Sequence, residues 1–286
     1  MKTLIHIGQH RAKGHPMPEE VLALEWAALE KLKRSEERAI ERAAQRLFTD
    51  QEADVLRNLE AAVGDLIQEK RRKQLDFIHR LFNVERWRAV TADLFAPLLA
   101  RTMRSGFNAG SARVNFTGDL TSDDPEVLAF LQMLTQRTAG ITDATAEELA
   151  RVVQLGLSES DTIPMLRTRI SRLFSTWRTG NNGLESRADL IAQTSGIAGF
   201  ERGQQLAFVR AGVTEKAWLT RRDGRVRRPP ASRFDHAAAD GQRVPTPEPF
   251  VVSGENLMHP GDFSMGASGG NTIRCRCSSL PILGTE

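Results

Sequence analysis

Residues 216–228, KAWLTRRDGRVRR, separate two parts of the sequence that differ in character. Before this stretch, apolar residues recur every three or four positions over long runs, which is typical of amphipathic helices. Within it and after it, short apolar runs are separated by Gly, Pro and Asp turns, which indicates short strands. We therefore predict an α+β fold, with an elongated, mostly α-helical N-terminal part followed by a small α+β C-terminal module.

The pattern of apolar residues and turn signals divides the chain into three segments. Residues 1–17 are polar, contain three histidines and are predicted to form a flexible arm. Residues 18–140 form a long-helix region. In it, one helix runs from Glu19 to about Phe48, and a second begins at Thr49, where Thr49 and Glu52 fit a capping box. Residues 141–286 form the module, with helices over 141–212 and short strands and loops over 213–286.

Local signals predict several boundaries. Gly106, Gly110 and the residues up to Asp119 are linker-like, and beyond Gly140 residues 142–145 are expected to precede a new, shorter helix. Ser186 opens the last helix of the module and Gly212 ends it. Strands are predicted over 213–220, at 244, over 250–253 and over 272–275. Prolines 245, 247 and 249 confine the middle strand to an edge or to a late start.

Composition narrows the function classes. The chain has 286 residues, 40% of them hydrophobic and 26% charged, and a net charge of +3. No apolar run is long enough for a membrane helix, and the N-terminus lacks the apolar region of a signal peptide. We therefore expect no membrane partner, and folding in the cytoplasm of the cell that makes the protein. The densest basic run is Lys70, Arg71, Arg72 and Lys73. It could contact the phosphates of a nucleic acid, although an ordinary solvated helix face is the simpler interpretation.

Candidate functional residues are concentrated after the strand that contains the tryptophan. They include an acidic residue followed by arginines, a histidine before an Asp-Gly turn, and a Cys-x-Cys pair next to Asn and Arg. The full set is Trp218, Asp223, Arg225, Arg227, His236, Asp240, Gly241, Asn271, Cys275, Arg276 and Cys277.

In this order the set resembles the C-terminal module of the phage Mu F-like head morphogenesis family. The preceding helix adds Arg187, Ala188, Ile191, Ala192 and Thr194 to the resemblance, which then covers residues 142–277. One departure is the insertion of residues 228–235 between the arginines and His236. The segment contains Pro229-Pro230, which favours a loop and leaves the placement of His236 relative to Asp223 open.

The resemblance implies a structural minor head protein of a tailed phage or prophage, without enzymatic activity or cofactor. Such a protein would lie in the virion, inside the capsid near the portal, and act in head assembly and in DNA packaging, delivery and ejection. Its implied partner is the portal protein. The major capsid or scaffolding protein and packaged double-stranded DNA are further partners to consider.

The residues themselves leave alternatives open. One is a DNA-binding virion protein. Another is a nuclease, protease or transferase in which His236 acts as a base oriented by Asp223, with Cys275 or Cys277 as a nucleophile. Cys275, Cys277, His236 and His259 also offer four ligands for a structural zinc. Two reduced cysteines on one face of the closing strand are the simpler interpretation of Cys-x-Cys.

The part of the module over residues 214–277 contains few Leu, Ile and Phe residues for its length but many Asp, Arg and Gly residues. We therefore predict that polar contacts of Asp223, Arg225, Arg227 and His236 around Trp218 hold it together, rather than a large apolar core.

Overall fold

The computed structural model describes residues 19–66, 79–181 and 185–283. About 63% of the chain is helical, and a few antiparallel strands form small sheets, so the predicted α+β class with a helical N-terminal part is confirmed. The described residues contain five long helices: α1 (Glu19–Leu66), α2 (Val84–Val114), α3 (Pro125–Ser158), α4 (Ile163–Thr179) and α5 (Arg187–Arg210). The arm predicted over 1–17 lies outside the described residues.

Two predicted helix boundaries are wrong, because threonine hydroxyls bond within the helix instead of capping a new one. The α1 helix continues through Thr49, whose Oγ1 donates to the carbonyl of Gln45 at 2.9 Å. The α3 helix continues through Gly140, and Thr145 Oγ1 donates to the carbonyl of Ile141 at 2.8 Å. A hydroxyl satisfied by the carbonyl one turn earlier is compatible with a helix interior. The predicted start of α5 is confirmed, since Ser186 Oγ accepts a bond from the Asp189 amide.

The predicted linker begins later than Gly106, because α2 continues through Gly106 and Gly110 to Val114, and only residues 115–124 connect it to α3. These glycines lie where α2 approaches α5 closely. A Cβ built on Gly106 would be 1.9 Å from the carbonyl oxygen of Phe200, and one on Gly203 would be 1.9 Å from that of Met103. Glycine is therefore required on both helices by the close packing of their backbones.

The strands are β1 (Glu215–Leu219), β2 (Arg243–Pro245), β3 (Phe250–Val252), β4 (Glu255–Leu257) and β5 (Ser278–Ile282). β1 lies between β2 and β5 in an antiparallel sheet, with Trp218 opposite Ser279, and β3 pairs with β4. β2 is therefore an edge strand, as its proline predicts. The strand predicted over 272–275 is wrong: a short helix, α6 (Gly269–Thr272), ends there, and the closing strand is β5.

The chain divides into two compact units. The first comprises the described residues of Met1–Ala39, Leu98–Ala129 and Ala192–Glu286, and the second comprises those of Ile40–Pro97 and Phe130–Ile191. Each unit contains residues from both sides of residue 140, where the sequence suggested a division. Among the described helices, none has both the length and the apolar composition that a membrane crossing requires.

The second unit contains a cluster of aromatic residues that also makes polar contacts. The Trp177 ring lies 4.8 Å from Phe174 and 5.5 Å from Phe48, and its indole N–H donates to Glu148 at 2.9 Å. The Arg187 guanidinium lies 4.9 Å above the same ring, as in a cation–π contact. Arg187, which carried part of the resemblance, thus packs in the core of this unit.

Strand β1 of the first unit contains a buried cation. Lys216 is fully buried, and its Nζ donates to the carbonyl of Met258 at 2.7 Å and to Gln205 Oε1 at 3.3 Å. Burial lowers the pKa of Lys216 from 10.5 to about 8. An ammonium group in this position costs stability unless it loses its proton.

Paired glycine substitutions test the helix packing. Gly106→Ala should lower the free energy of unfolding by about 2–3 kcal/mol, because the added methyl group must displace backbone atoms. Gly140→Ala is the control, because nothing lies within 4 Å of its Cβ position and it lies in the interior of α3. It should raise the free energy of unfolding by about 0.5–1 kcal/mol. Denaturant unfolding followed by circular dichroism measures both, and equal effects would contradict this packing.

The pH dependence of stability tests the burial of Lys216. Between pH 8 and 10.5 the unfolded chain holds a proton that the folded chain has released, so stability should rise with pH in this window. Lys216→Met should lack this contribution. The difference in unfolding free energy between wild type and variant should therefore shift in favour of wild type as pH rises from 7.5 to 10. A constant difference would mean that Lys216 titrates at the same pH in both states.

Candidate functional site

Five residues of the predicted set converge on one centre in the first unit. Trp218 lies on β1, His236 in the loop between β1 and β2, Asn271 on α6, and Cys275 and Cys277 between α6 and β5. All five are buried. The Trp218 ring contacts His236 edge to face, with centroids 5.8 Å apart. Residues up to 59 positions apart in sequence therefore share one environment.

This centre belongs to an apolar core, so the predicted polar core is wrong. Trp218 packs with both cysteines, with Ala239 in the loop between β1 and β2, and with Phe250, Val252 and Leu257 of the β3–β4 sheet. Of the predicted polar set, only His236 is buried here. The strands bring the few apolar residues of the module together, which their low number in the sequence did not suggest.

Hydrogen bonds fix which nitrogen of His236 carries a proton. Asn271 Nδ2 donates to the carbonyl of Val252 at 3.0 Å and to Glu255 Oε2 at 2.6 Å. Asn271 Oδ1 therefore faces His236 Nε2, at 3.1 Å, and must accept a proton from it. In the neutral ring, Nδ1 then carries the lone pair.

That lone pair faces two sulfur atoms. His236 Nδ1 lies 3.8 Å from Cys275 Sγ and 3.5 Å from Cys277 Sγ. The hydrogen bond from Cys277 and the contact with His236 lower the pKa of Cys275 well below its ordinary value. Burial raises the pKa of Cys277 well above it.

The other predicted ligand, His259, is not part of this cluster. Its Nδ1 lies 3.1 Å from the carbonyl oxygen of Pro260 and its Nε2 lies 3.9 Å from Asp262 Oδ1. Burial lowers the pKa of His259, which keeps the ring neutral. The four-ligand zinc set that includes His259 is therefore wrong, because the loop after β4 directs His259 towards Asp262.

The predicted pairing of His236 with Asp223 is also wrong. Asp223 accepts from Arg276 at 2.6 Å and from the Arg225 amide at 3.0 Å, and its carboxylate is about a third exposed. The amide of His236 donates instead to the carbonyl of Arg227, at 2.9 Å. This bond closes the inserted loop at its base and turns the imidazole towards the cysteines.

The remaining motif residues fix loops around the site. Asp240 accepts from the Thr220 amide at 2.8 Å and from Arg222 at 2.8 Å. Gly241 has φ +80° and donates to the carbonyl of Trp218 at 2.8 Å, and the positive φ explains why glycine stands there. The Arg227 guanidinium donates to the carbonyl of Ile273. These residues therefore position the backbone on either side of the site.

Cys275 also lines a cleft of about 220 Å³ in the first unit. Its charged lining comprises five cations, Lys33, Arg34, Arg221, Arg225 and Arg276, and two acids, Glu30 and Glu37. Glu30 pairs with Arg34 at 2.6 Å and with Arg221. The cleft is thus cationic, and it leads from the surface towards the cysteine pair.

Sequence reasoning missed a buried ion pair beside this site. Lys33 Nζ lies 2.6 Å from Glu201 Oε1, with side chains that are 7% and 0% exposed. Ser278 Oγ and the Ser279 amide also donate to Glu201, at 2.6 and 2.9 Å. Burial alone would raise the pKa of Glu201, but Lys33 and the serines lower it. The available signal was a charge four residues after the buried Leu29, on the apolar face of α1.

No protein-family model matches this chain, and neither a curated protein nor a solved structure is significantly similar to it. The predicted DNA contacts, Lys70, Arg71, Arg72 and Lys73, lie outside the described residues. The chemistry of the site is therefore decided by its own residues. An imidazole lone pair and two sulfurs can bind a soft cation, or they can form a thiolate paired with a histidine.

Two acidic residues that are buried to different degrees test which ion pairs stabilise the first unit. Glu201→Gln should lower the free energy of unfolding by about 3–5 kcal/mol, because Lys33 remains buried without its counter-charge. Asp223→Ala is the matched control and should cost less than about 1 kcal/mol, because water screens the exposed pair with Arg276. Thermal and denaturant unfolding of both variants give the comparison. A larger loss for Asp223→Ala would reverse the assigned roles.

Proposed function

We propose that this chain is a structural minor head protein of a tailed phage or prophage. In this proposal it binds the portal protein inside the capsid and acts in head assembly and in DNA packaging or delivery. The observation that carries the proposal is the convergence of Trp218, His236, Asn271, Cys275 and Cys277 on one buried centre. These are residues on which the resemblance rests, and a motif that forms the core of a module is expected to recur with that module.

The burial of His236 favours a structural role over an enzyme based on acid–base catalysis. Only 2% of His236 is exposed, Nε2 is bound to Asn271, and Asp223 is bound to Arg276. A general base must reach a substrate proton, and an orienting acid must contact the base. Neither condition holds for His236 and Asp223 in this arrangement.

The first 21 residues of α1 belong to the same unit as residues 192–286 of the module, which supports a role as an assembly part. In this unit, the described part of α1 supplies Lys33 to Glu201 and Glu30 to Arg221, and Arg113 of α2 pairs with Glu25 at 2.9 Å. A helix held to the module by these ion pairs offers a partner such as the portal a helical contact surface. The major capsid and scaffolding proteins are further candidates for the same surface.

The proposal is tested by co-expression of the full chain with the portal protein of the same genome. We expect the chain to copurify with the portal ring, and to remain bound after nuclease digestion and in high salt, because protein surfaces form the contact. Mass spectrometry of purified virions should detect the chain at a fixed ratio to the portal.

Two results would contradict the proposal in different ways. Copurification that is lost after nuclease digestion would mean that DNA bridges the two proteins, as a DNA-binding virion protein requires. A chain that is absent from purified virions and proheads would exclude a structural role in the head altogether.

A further inference from the structure

We propose that His236 Nδ1, Cys275 Sγ and Cys277 Sγ bind one Zn²⁺ ion. Within the described parts of the chain, these atoms form the one group of three or more potential ligand atoms that all lie within 4.8 Å of one another. All three residues are buried. The inference does not depend on the proposed role in the phage head.

The distances within the group fit tetrahedral zinc. With Zn–S bonds of about 2.3 Å and Zn–N bonds of about 2.0–2.1 Å, a tetrahedral angle places sulfur and nitrogen about 3.6 Å apart. His236 Nδ1 lies 3.5 Å from one sulfur and 3.8 Å from the other. A nucleophilic cysteine needs only one sulfur beside the imidazole. Two sulfurs at these distances from Nδ1 fit the ligand positions of a tetrahedral metal site.

The surroundings of His236 are also those of a metal ligand. A ligating histidine normally donates its second ring N–H to a fixed acceptor, which sets the tautomer. Here Nε2 donates to Asn271 Oδ1, and Asn271 is itself held by Val252 and Glu255. The carboxylate of Glu255 is fixed in turn by the amide and hydroxyl of Ser268, at 2.9 and 3.1 Å.

The net charge of the zinc-bound centre suits its apolar surroundings. When the ion binds, the two thiols lose their protons to solvent, and two thiolates with a neutral imidazole neutralise the dication. The resulting centre carries no net charge, which suits the apolar cluster around Trp218 and Phe250.

Three protein ligands leave a fourth coordination position. No fourth Cys, His, Asp or Glu atom joins the group among the described residues. Cys275 lines the cationic cleft, so water from that cleft is the fourth ligand. Three protein ligands with an accessible fourth position are typical of a zinc site that can accept an outside ligand.

The test starts from the full-length wild-type chain. Purified without chelator from zinc-supplemented cells, it should contain one zinc per chain by elemental analysis. After metal removal under reducing conditions, titration with Co²⁺ should saturate at one ion per chain, with thiolate-to-cobalt charge-transfer absorption and the visible bands of tetrahedral cobalt. Imidazole added to the cobalt form should shift those visible bands, because it replaces water at the fourth position.

Variants assign the ligands. Cys277→Ser should abolish stoichiometric metal binding, and Asn271→Ala should weaken it about 10- to 100-fold, because the orientation of His236 is lost. His259→Gln is the control. His259 is buried like His236 but lies outside the ligand group, so this variant should retain one zinc per chain.

The wild-type experiment keeps the proposal open to refutation even if a variant fails to fold. Wild-type protein that contains no zinc and shows no charge-transfer absorption with Co²⁺ would overturn it. So would rapid alkylation of Cys275 by iodoacetamide that zinc does not slow, which would indicate a free reactive thiol. Visible cobalt bands that do not respond to imidazole would exclude the open fourth position.

Discussion

The first unit depends on the buried carboxylate of Glu201. It is fully buried on α5, and Lys33 of α1 and two serines of β5 satisfy it together. A buried charge with a missing partner is strongly unfavourable, so α1 and β5 must both be in place before α5 can pack stably. The two cysteines directly precede β5, and Lys33 also contacts the carbonyl of Cys277 at 3.4 Å. The geometry of the thiol site therefore follows from a long-range ion pair outside it.

Features that depend on neighbouring residues could be predicted from the sequence. Ser186 caps α5, Gly212 follows its end with φ +70°, and the prolines confine β2 to an edge. In each case the backbone requirement and the residue that meets it are adjacent in the chain. The helical content and the strand at Trp218 follow from periodicity in the same way.

Features that depend on distant partners could not be predicted. Gly106 resembles a linker residue until the backbone of Phe200 is known to lie against it. The proximity of His236 to Cys275 and Cys277 was among the possibilities, but Asp223 and His259 were equally plausible neighbours on spacing alone. Two contacts between distant residues distinguish the cysteines from the other candidate neighbours. One is the hydrogen bond from the His236 amide to the carbonyl of Arg227, and the other is the anchoring of Asn271 by Val252 and Glu255.

The hydrogen bond from the His236 amide to the Arg227 carbonyl has a practical consequence for the inserted loop. The carbonyl of Arg227 accepts from both His236 and Ala237, at 2.9 and 3.1 Å, so the two ends of residues 228–235 are joined at their base. Phe234 packs against Gly270 and the Asp235 amide is bound to Ser253, but residues 228–233 lie before these anchors. The ends of the loop are thus held by hydrogen bonds to the Arg227 carbonyl, in which residues 229–232 take no part. A fluorophore or an epitope tag placed between Arg228 and Arg233 would report on the position of the protein in an assembly without altering its core.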